Sequence, residues 1–98
     1  MTEARPTQKI IPYLTYGDAA KAITFLTRAF GYKERFRYPM DNGLIGHAEL
    51  ELGADNIIML ASEFEGFGQS PLRLSGVHAF TYCFVDVADA HFRTAKAA

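Results

Sequence analysis

The stretch IIPYLTYGDAAKAITFLTRAFGYKERFR, residues 10–37, contains the strongest secondary-structure signals of this sequence. Its opening part, residues 10–16, is short, apolar and aromatic, which predicts a β-strand. Asp18 is a favourable N-cap, and the apolar residues after it recur at spacings of three and four, which predicts an amphipathic helix. Gly31 fits the position just past the end of that helix, and residues 32–38 then alternate as a strand does. The stretch therefore predicts a strand, a helix and a second strand in succession.

The rest of the chain predicts three more strands and a second helix. The predicted strands cover residues 44–52, 57–61 and 77–85, and the predicted helix covers residues 86–98. The Asn42-Gly43 pair is a strong hairpin signal because both residue types tolerate positive φ. Residues 63–76 contain three glycines and a proline and show no period, so they are interpreted as a linker or as a mobile loop over a site.

The strand–helix unit occurs twice in the sequence. Tyr13 falls on Tyr82 and Ala19 falls on Ala88 at a common offset of 69 residues, with the apolar positions of the two helices in phase. Three strands are predicted between the copies, so the order is βαβββ followed by βα. This order predicts a first module at residues 1–62, a linker loop at 63–76, and the start of a second, apparently incomplete module at 77–98.

Two segments of the sequence resemble a known family. Residues 10–37 and the segment GLIGHAELELGADNIIMLAS, residues 43–62, are similar to the first module of the vicinal-oxygen-chelate superfamily. More narrowly, they resemble its glyoxalase, bleomycin-resistance and dioxygenase proteins in the phosphonate-operon-like branch. The specific parts are the Asp-Ala-Ala helix start, the Ala-Phe-Gly exit at 29–31 and His-Ala-Glu-Leu at 47–50. The resemblance implies an α+β fold in which a βαβββ module is followed by the first strand and helix of a second module. It also implies a cupped mixed sheet with helices on its outer face and a small-molecule cavity.

The same resemblance implies where a metal would bind. Members of the superfamily hold a divalent metal in the cupped sheet, where it chelates vicinal oxygens of a substrate. The usual ligand positions fall on Ile11, on Phe80 and on the Met-Leu-Ala-Ser stretch at 59–62, and none of these supplies a histidine or a carboxylate. No cofactor is therefore predicted. A divalent metal held by displaced ligands such as His47, Glu49 or His78 is the alternative.

Strand alternation and the resemblance together predict which side chains line the cavity. His47 and Glu49 share one face of their strand and form a candidate acid/base or metal-ligand pair; an outward polar face is the other interpretation. Tyr13 and Tyr82 are amphipathic rings that could clamp a flat ligand or serve as structural aromatics. The predicted ligand-binding residues are Ile11, Tyr13, His47, Glu49, His78, Phe80 and Tyr82, and His47 and Glu49 are the candidate catalytic residues.

The composition argues against several classes of partner. The formal net charge is −1, so the composition gives no reason to expect the basic surface that a nucleic-acid partner requires. The one local basic cluster, Lys33, Arg35 and Arg37, is interpreted as a solvated face of a strand. Residues 1–9 lack the apolar core of a signal peptide, and no apolar stretch is long enough to cross a membrane. The single cysteine, Cys83, excludes an intrachain disulfide and fits a reducing compartment. A cytoplasmic protein is expected.

Three hypotheses about function follow from the sequence. The first is a protein of the glyoxalase/bleomycin-resistance type that binds a small organic molecule without the usual metal-ligand set. The second is a metal-dependent lyase, isomerase or dioxygenase that uses displaced ligands, and the third is a protein-interaction module. A lone strand and helix cannot cover the open edge of the first sheet, and exposed edges invite pairing. The chain is therefore expected to form a homodimer or to be part of a longer protein.

Overall fold

Four strands form one mixed sheet, and both helices lie on one of its faces. The computed structural model of the chain describes residues 8–76 and 79–98. The elements are β1 (Tyr13–Tyr16), α1 (Ala19–Phe30), β2 (Lys33–Pro39), β3 (Ile45–Glu51), β4 (Ile57–Ser62), a 3₁₀ turn (Pro71–Arg73) and α2 (Ala88–Ala97). The strand order is β1-β4-β3-β2, with β1 parallel to β4 and the other neighbours antiparallel. The predicted α+β fold with a βαβββ module is confirmed.

Local sequence signals fix both ends of α1. The Asp18 side chain accepts a hydrogen bond from the backbone N–H of Lys21 at 3.0 Å, which satisfies one of the donors that a helix start leaves free. At the other end Gly31 has a φ of 77°, a left-handed conformation that glycine adopts without a steric penalty. The predicted N-cap and the predicted stop residue are both confirmed.

The core lies between α1 and the sheet. Alternate residues of β1, β3 and β4 face the helix, as the two-residue period of a strand requires. The buried residues of this cluster are Ala19, Ile23, Leu26, Tyr32, Ile45, Ala48, Leu50, Ile58 and Leu60. The intervening residues of the same strands occupy the other face of the sheet, which is more polar. We call it the open face.

β1 is shorter than predicted because its first residues do not join the ladder. It begins at Tyr13 rather than at residue 10, and Pro12 before it has no N–H to donate. The Pro12 carbonyl still accepts a hydrogen bond from Met59 N at 2.9 Å. Farther upstream, the Gln8 side chain accepts from Ile57 N at 2.6 Å and donates to the Ile57 carbonyl at 3.0 Å. A side chain thus replaces the backbone ladder at this end of β4.

An irregularity in the β2–β3 ladder changes where the basic side chains of β2 point. Glu34 and Phe36 oppose adjacent residues of β3, so Arg35 is the extra residue of a β-bulge. Arg35 Nε lies 3.5 Å from Glu49 Oε1, whereas Arg37 Nε lies 2.8 Å from a carboxylate oxygen of Glu34. The prediction that the basic residues of β2 share one solvated face is wrong, because the bulge breaks the alternation on which it depended.

The loop after β4 folds back against β1. Glu63 N donates to the Tyr16 carbonyl at 3.0 Å, which continues the parallel pairing beyond the strands. The Glu63 carboxylate then accepts from Ser70 N at 2.5 Å and forms an ion pair with Arg73 at 2.9 Å. Glu63 therefore ties both ends of this loop together. The division of the chain into modules at residues 62 and 77 stays a prediction.

The segment predicted as a fifth strand is not a strand. Residues 79–85 have no regular secondary structure, and Val77 and His78 lie outside the described residues. No described strand pairs with residues 79–85, so their backbone groups have no ladder partners, and alternating aromatic residues alone do not stabilise a strand. The side chains of Phe80, Tyr82 and Phe84 are instead 91%, 84% and 90% exposed. The prediction of a strand over 77–85 is wrong for the residues described.

α2 begins at the residue that the internal repeat indicates. Its first residue, Ala88, matches Ala19 of α1, but its N-cap residue, Val87, makes no capping hydrogen bond through its side chain. α2 packs along α1, and the His91 ring stacks on Phe30 with centroids 5.2 Å apart. No residue of α2 is buried, so the helix rests on α1 without joining the core. Within the described ranges, no helix is long and apolar enough to span a membrane.

Candidate functional site

Four polar side chains form a continuous line of contacts across the open face. The Tyr13 hydroxyl lies 2.8 Å from His47 Nδ1, and His47 Nε2 lies 2.9 Å from Glu49 Oε2. The other carboxylate oxygen of Glu49 lies 3.5 Å from Arg35 Nε. We call Tyr13, His47, Glu49 and Arg35 the polar cluster. It joins a phenol, an imidazole, a carboxylate and a guanidinium from three strands.

Strand register explains why these side chains meet. Tyr13 of β1 lies opposite Met59 of β4, and Glu49 of β3 lies opposite the same Met59. Residues directly opposite each other share a face of the sheet, so all three point away from α1. His47 is two residues before Glu49 and shares that face. The bulge in β2 brings Arg35 to Glu49, which completes the polar cluster.

Burial and charge favour the protonated form of Tyr13 in the polar cluster. Glu49 is only 7% exposed, and its carboxylate lies between the guanidinium of Arg35 and the imidazole of His47. Burial of the phenol, and secondarily the negative charge of Glu49, raise the pKa of Tyr13 above its ordinary value. The Tyr13 side chain therefore stays a neutral phenol across the physiological range.

Aromatic rings accompany the polar cluster. The rings of Phe36, His47, Tyr13 and Phe67 follow one another with centroid separations of 6.1, 5.5 and 6.1 Å. We call these four rings the aromatic row. Tyr13 is 44% exposed and Phe67 is 61% exposed, so part of the row is accessible from solvent. Rings at these separations offer edges and faces against which a flat molecule can stack.

The structure brings together only some of the predicted site residues. Tyr13, His47 and Glu49 are in mutual contact, as described above. Ile11 precedes β1 and is half-buried, whereas Phe80 and Tyr82 are exposed on the irregular segment. His78 lies outside the described residues. The binding role of all seven residues stays a prediction.

Three residues of this surface were not predicted from the sequence. Arg35 reaches Glu49 only because of the bulge, and a one-residue irregularity leaves no mark in the hydrophobic pattern. Phe36 follows the bulge, so it shares the open face with Arg35 instead of alternating with it. Phe67 lies in a loop without a period, where nothing in the sequence indicates contact with Tyr13. The sequence shows Phe67 only as an aromatic residue between two glycines.

The polar cluster does not fit a divalent metal. Both ring nitrogens of His47 and both carboxylate oxygens of Glu49 already have protein partners. The described part of the chain places no group of three or more His, Cys, Asp or Glu side chains where they could hold a metal ion. A protein metal site normally needs three or four such ligands. The displaced-ligand alternative therefore gains no support from these residues.

Two cavities lie on the helix side of the sheet and at its adjoining end. Their volumes are about 660 and 550 Å³, and residues of the irregular segment line both. The cavities share Tyr32, Ile58, Thr81, Cys83 and Val85. Tyr32 OH lies 3.7 Å from Cys83 Sγ, and burial together with this contact raises the pKa of Tyr32. The residues of the polar cluster line neither cavity and lie together on the opposite face of the sheet. Because the polar and aromatic side chains meet there, we assign the candidate site to the open face.

Comparisons with known proteins bear on the fold. No family model matches the chain, and no curated protein matches it. Among solved structures, the chain is similar to the crystal structure of TioX from Micromonospora sp. ML1, with 29% sequence identity and a TM-score of 0.62. The match covers 92% of this chain and 71% of TioX. The chain therefore has a fold related to that of TioX.

Proposed function

We propose that the chain binds a flat small organic molecule on the open face, as a glyoxalase/bleomycin-resistance-like protein without that superfamily's usual metal-ligand set. One observation carries the proposal: the aromatic row shares Tyr13 and His47 with the polar cluster, so stacking and hydrogen-bonding groups converge on one surface. The fold related to that of TioX supports the general architecture. The ligand class is inferred from the residues of the open face alone.

In the proposed binding, the aromatic rings and the polar groups have different roles. Stacking on exposed rings such as Tyr13 and Phe67 provides most of the apolar contact, and aromatic contacts of this kind typically contribute about 0.5–1.5 kcal/mol each. The polar cluster supplies orientation, because a few fixed polar groups on an apolar surface restrict how a ligand can lie. A flat ring with one polar substituent meets both requirements.

A neutral planar probe tests the binding surface. We expect 2-methoxynaphthalene to shift the backbone NMR resonances of residues around the aromatic row in the ¹⁵N-labelled chain. Replacing Phe67 by Ala removes one exposed ring and is expected to weaken this binding about fivefold. Phe92→Ala is the matched control, because Phe92 is 65% exposed and lines a helix-side cavity. Weakening by Phe92→Ala alone would place the probe in that cavity and contradict the proposal.

We also propose that two copies of the chain associate and cover the irregular segment. Phe80, Tyr82 and Phe84 are almost fully exposed, and the rings of Tyr82 and Phe84 lie 5.4 Å apart as one apolar patch. Contiguous apolar patches on a protein surface are typical of interaction sites. A second copy presents the same patch, so a two-fold interface would be self-complementary.

Light scattering after size-exclusion chromatography tests this association. We expect the mass of a dimer for the unmodified chain, and the mass of a monomer when Phe80, Tyr82 and Phe84 are together replaced by Ser. Leu72→Ser is the control, because Leu72 is 95% exposed in the loop before this segment. A monomer for the unmodified chain, or a dimer that survives the triple replacement, would contradict the proposed interface.

A further inference from the structure

We infer that the open face, in the binding role proposed above, prefers flat aromatic ligands that carry a hydrogen-bond donor, because the Tyr13 proton is committed to His47. The inference rests on the proposed function and specifies the ligand class for that same surface. It follows from the direction of each hydrogen bond in the polar cluster rather than from the composition of the site.

The Glu49 carboxylate determines which atom donates in each hydrogen bond of the polar cluster. An ionised carboxylate can only accept hydrogen bonds, so the Glu49 oxygen requires a proton on His47 Nε2, 2.9 Å away. In a neutral imidazole the other ring nitrogen is then an acceptor. The contact of 2.8 Å between His47 Nδ1 and the Tyr13 hydroxyl is therefore donated by the phenol.

This direction determines what Tyr13 offers to a ligand. Its only hydroxyl proton points to His47, so the lone pairs of the phenol oxygen remain for an incoming group. Tyr13 is 44% exposed and shares the aromatic row with the accessible ring of Phe67. A ligand stacked on these rings can donate a hydrogen bond to the oxygen of Tyr13. A ligand that only accepts hydrogen bonds finds no donor there.

The groups that face His47 include the Tyr13 phenol from β1 and the Glu49 carboxylate from β3, with Arg35 from β2 behind Glu49. On the β2 side, Tyr38 lies opposite His47 in the register and the Phe36 ring lies 6.1 Å from it. Met59 of β4 and Phe67 of the loop are uncharged neighbours of Tyr13.

Two probes of nearly the same shape test the inference. 2-Naphthol donates a hydrogen bond, whereas 2-methoxynaphthalene has the same ring system and only accepts. At about pH 8 we expect 2-naphthol to bind about five times more tightly, the usual value of one net hydrogen bond. Isothermal titration calorimetry measures both affinities.

One variant assigns the effect to the Tyr13 hydroxyl. Tyr13→Phe keeps the ring and removes the hydroxyl, so both probes should bind it with similar affinity. Equal affinities for the unmodified chain at about pH 8, or a preference for 2-naphthol that survives Tyr13→Phe, would overturn the inference while leaving the proposed binding surface intact. If neither probe binds the open face, the proposed function fails, and the inference fails with it.

Discussion

Replacing Leu60 by Ala is expected to lower the free energy of unfolding by about 3 kcal/mol, the usual cost of a leucine-to-alanine change in a packed core. Leu60 lies in β4, is fully buried, and belongs to the core cluster between α1 and the sheet. Urea denaturation followed by far-ultraviolet circular dichroism measures the change. Leu72→Ala is the matched control, because Leu72 is 95% exposed and its replacement should change the free energy of unfolding by less than about 0.5 kcal/mol.

The comparison of the two leucines also tests which face of the sheet is the core. A loss at Leu60 no larger than the loss at Leu72 would show that the side of the sheet facing α1 is not packed. Such a result would contradict the assignment of the core to the helix side of the sheet.

Replacing Glu49 by Ala is expected to have the second largest effect, a loss of about 1–2 kcal/mol in the free energy of unfolding. The change removes the acceptor of His47 and leaves the guanidinium of Arg35 without its carboxylate. The expected loss is smaller than for a fully buried ion pair because the Arg35 and His47 side chains are 19% and 28% exposed, which lets water screen them. Urea denaturation measures it.

Two further variants test this prediction. Glu49→Gln keeps the size and an oxygen acceptor, so about half of the loss should be recovered. Glu51→Ala changes a carboxylate on the same strand and face that forms no ion pair with the described residues, and it should have little effect. Equal losses at Glu49 and Glu51 would mean that the polar cluster contributes nothing specific.

The parts of the fold that could be predicted from the sequence are those with local physical causes. The bounds of α1 follow from Asp18 and Gly31, which act on backbone groups within a few residues of themselves. The turn before β3 likewise follows from Asn42-Gly43, and Gly43 has the expected positive φ of 76°. Each of these signals holds whatever the rest of the chain does, and each is confirmed.

The parts that could not be predicted depend on which strands become neighbours. Alternation placed His47 and Glu49 on one face, but only the pairing of β1 and β3 with the same strand brings Tyr13 to them. The bulge at Arg35 changes one residue of register without changing the apolar pattern. The prediction of a strand failed for residues 79–85 because a pattern of side chains does not supply a neighbouring strand to which the backbone can hydrogen-bond.

The parallel pairing of β1 with β4 has a consequence for the order of folding. The hairpins β2–β3 and β3–β4 join strands that are adjacent in sequence. β1 instead pairs with β4, the last strand of the sheet, so its pairing closes a longer loop and has a larger entropic cost. The Tyr13–His47 hydrogen bond joins residues 34 positions apart and requires β1 to be in place. We therefore expect the candidate site to be completed late in folding, after the hairpins. A mutation that slows the docking of β1 would delay the appearance of binding without delaying most of the secondary structure, and stopped-flow circular dichroism alone would miss it.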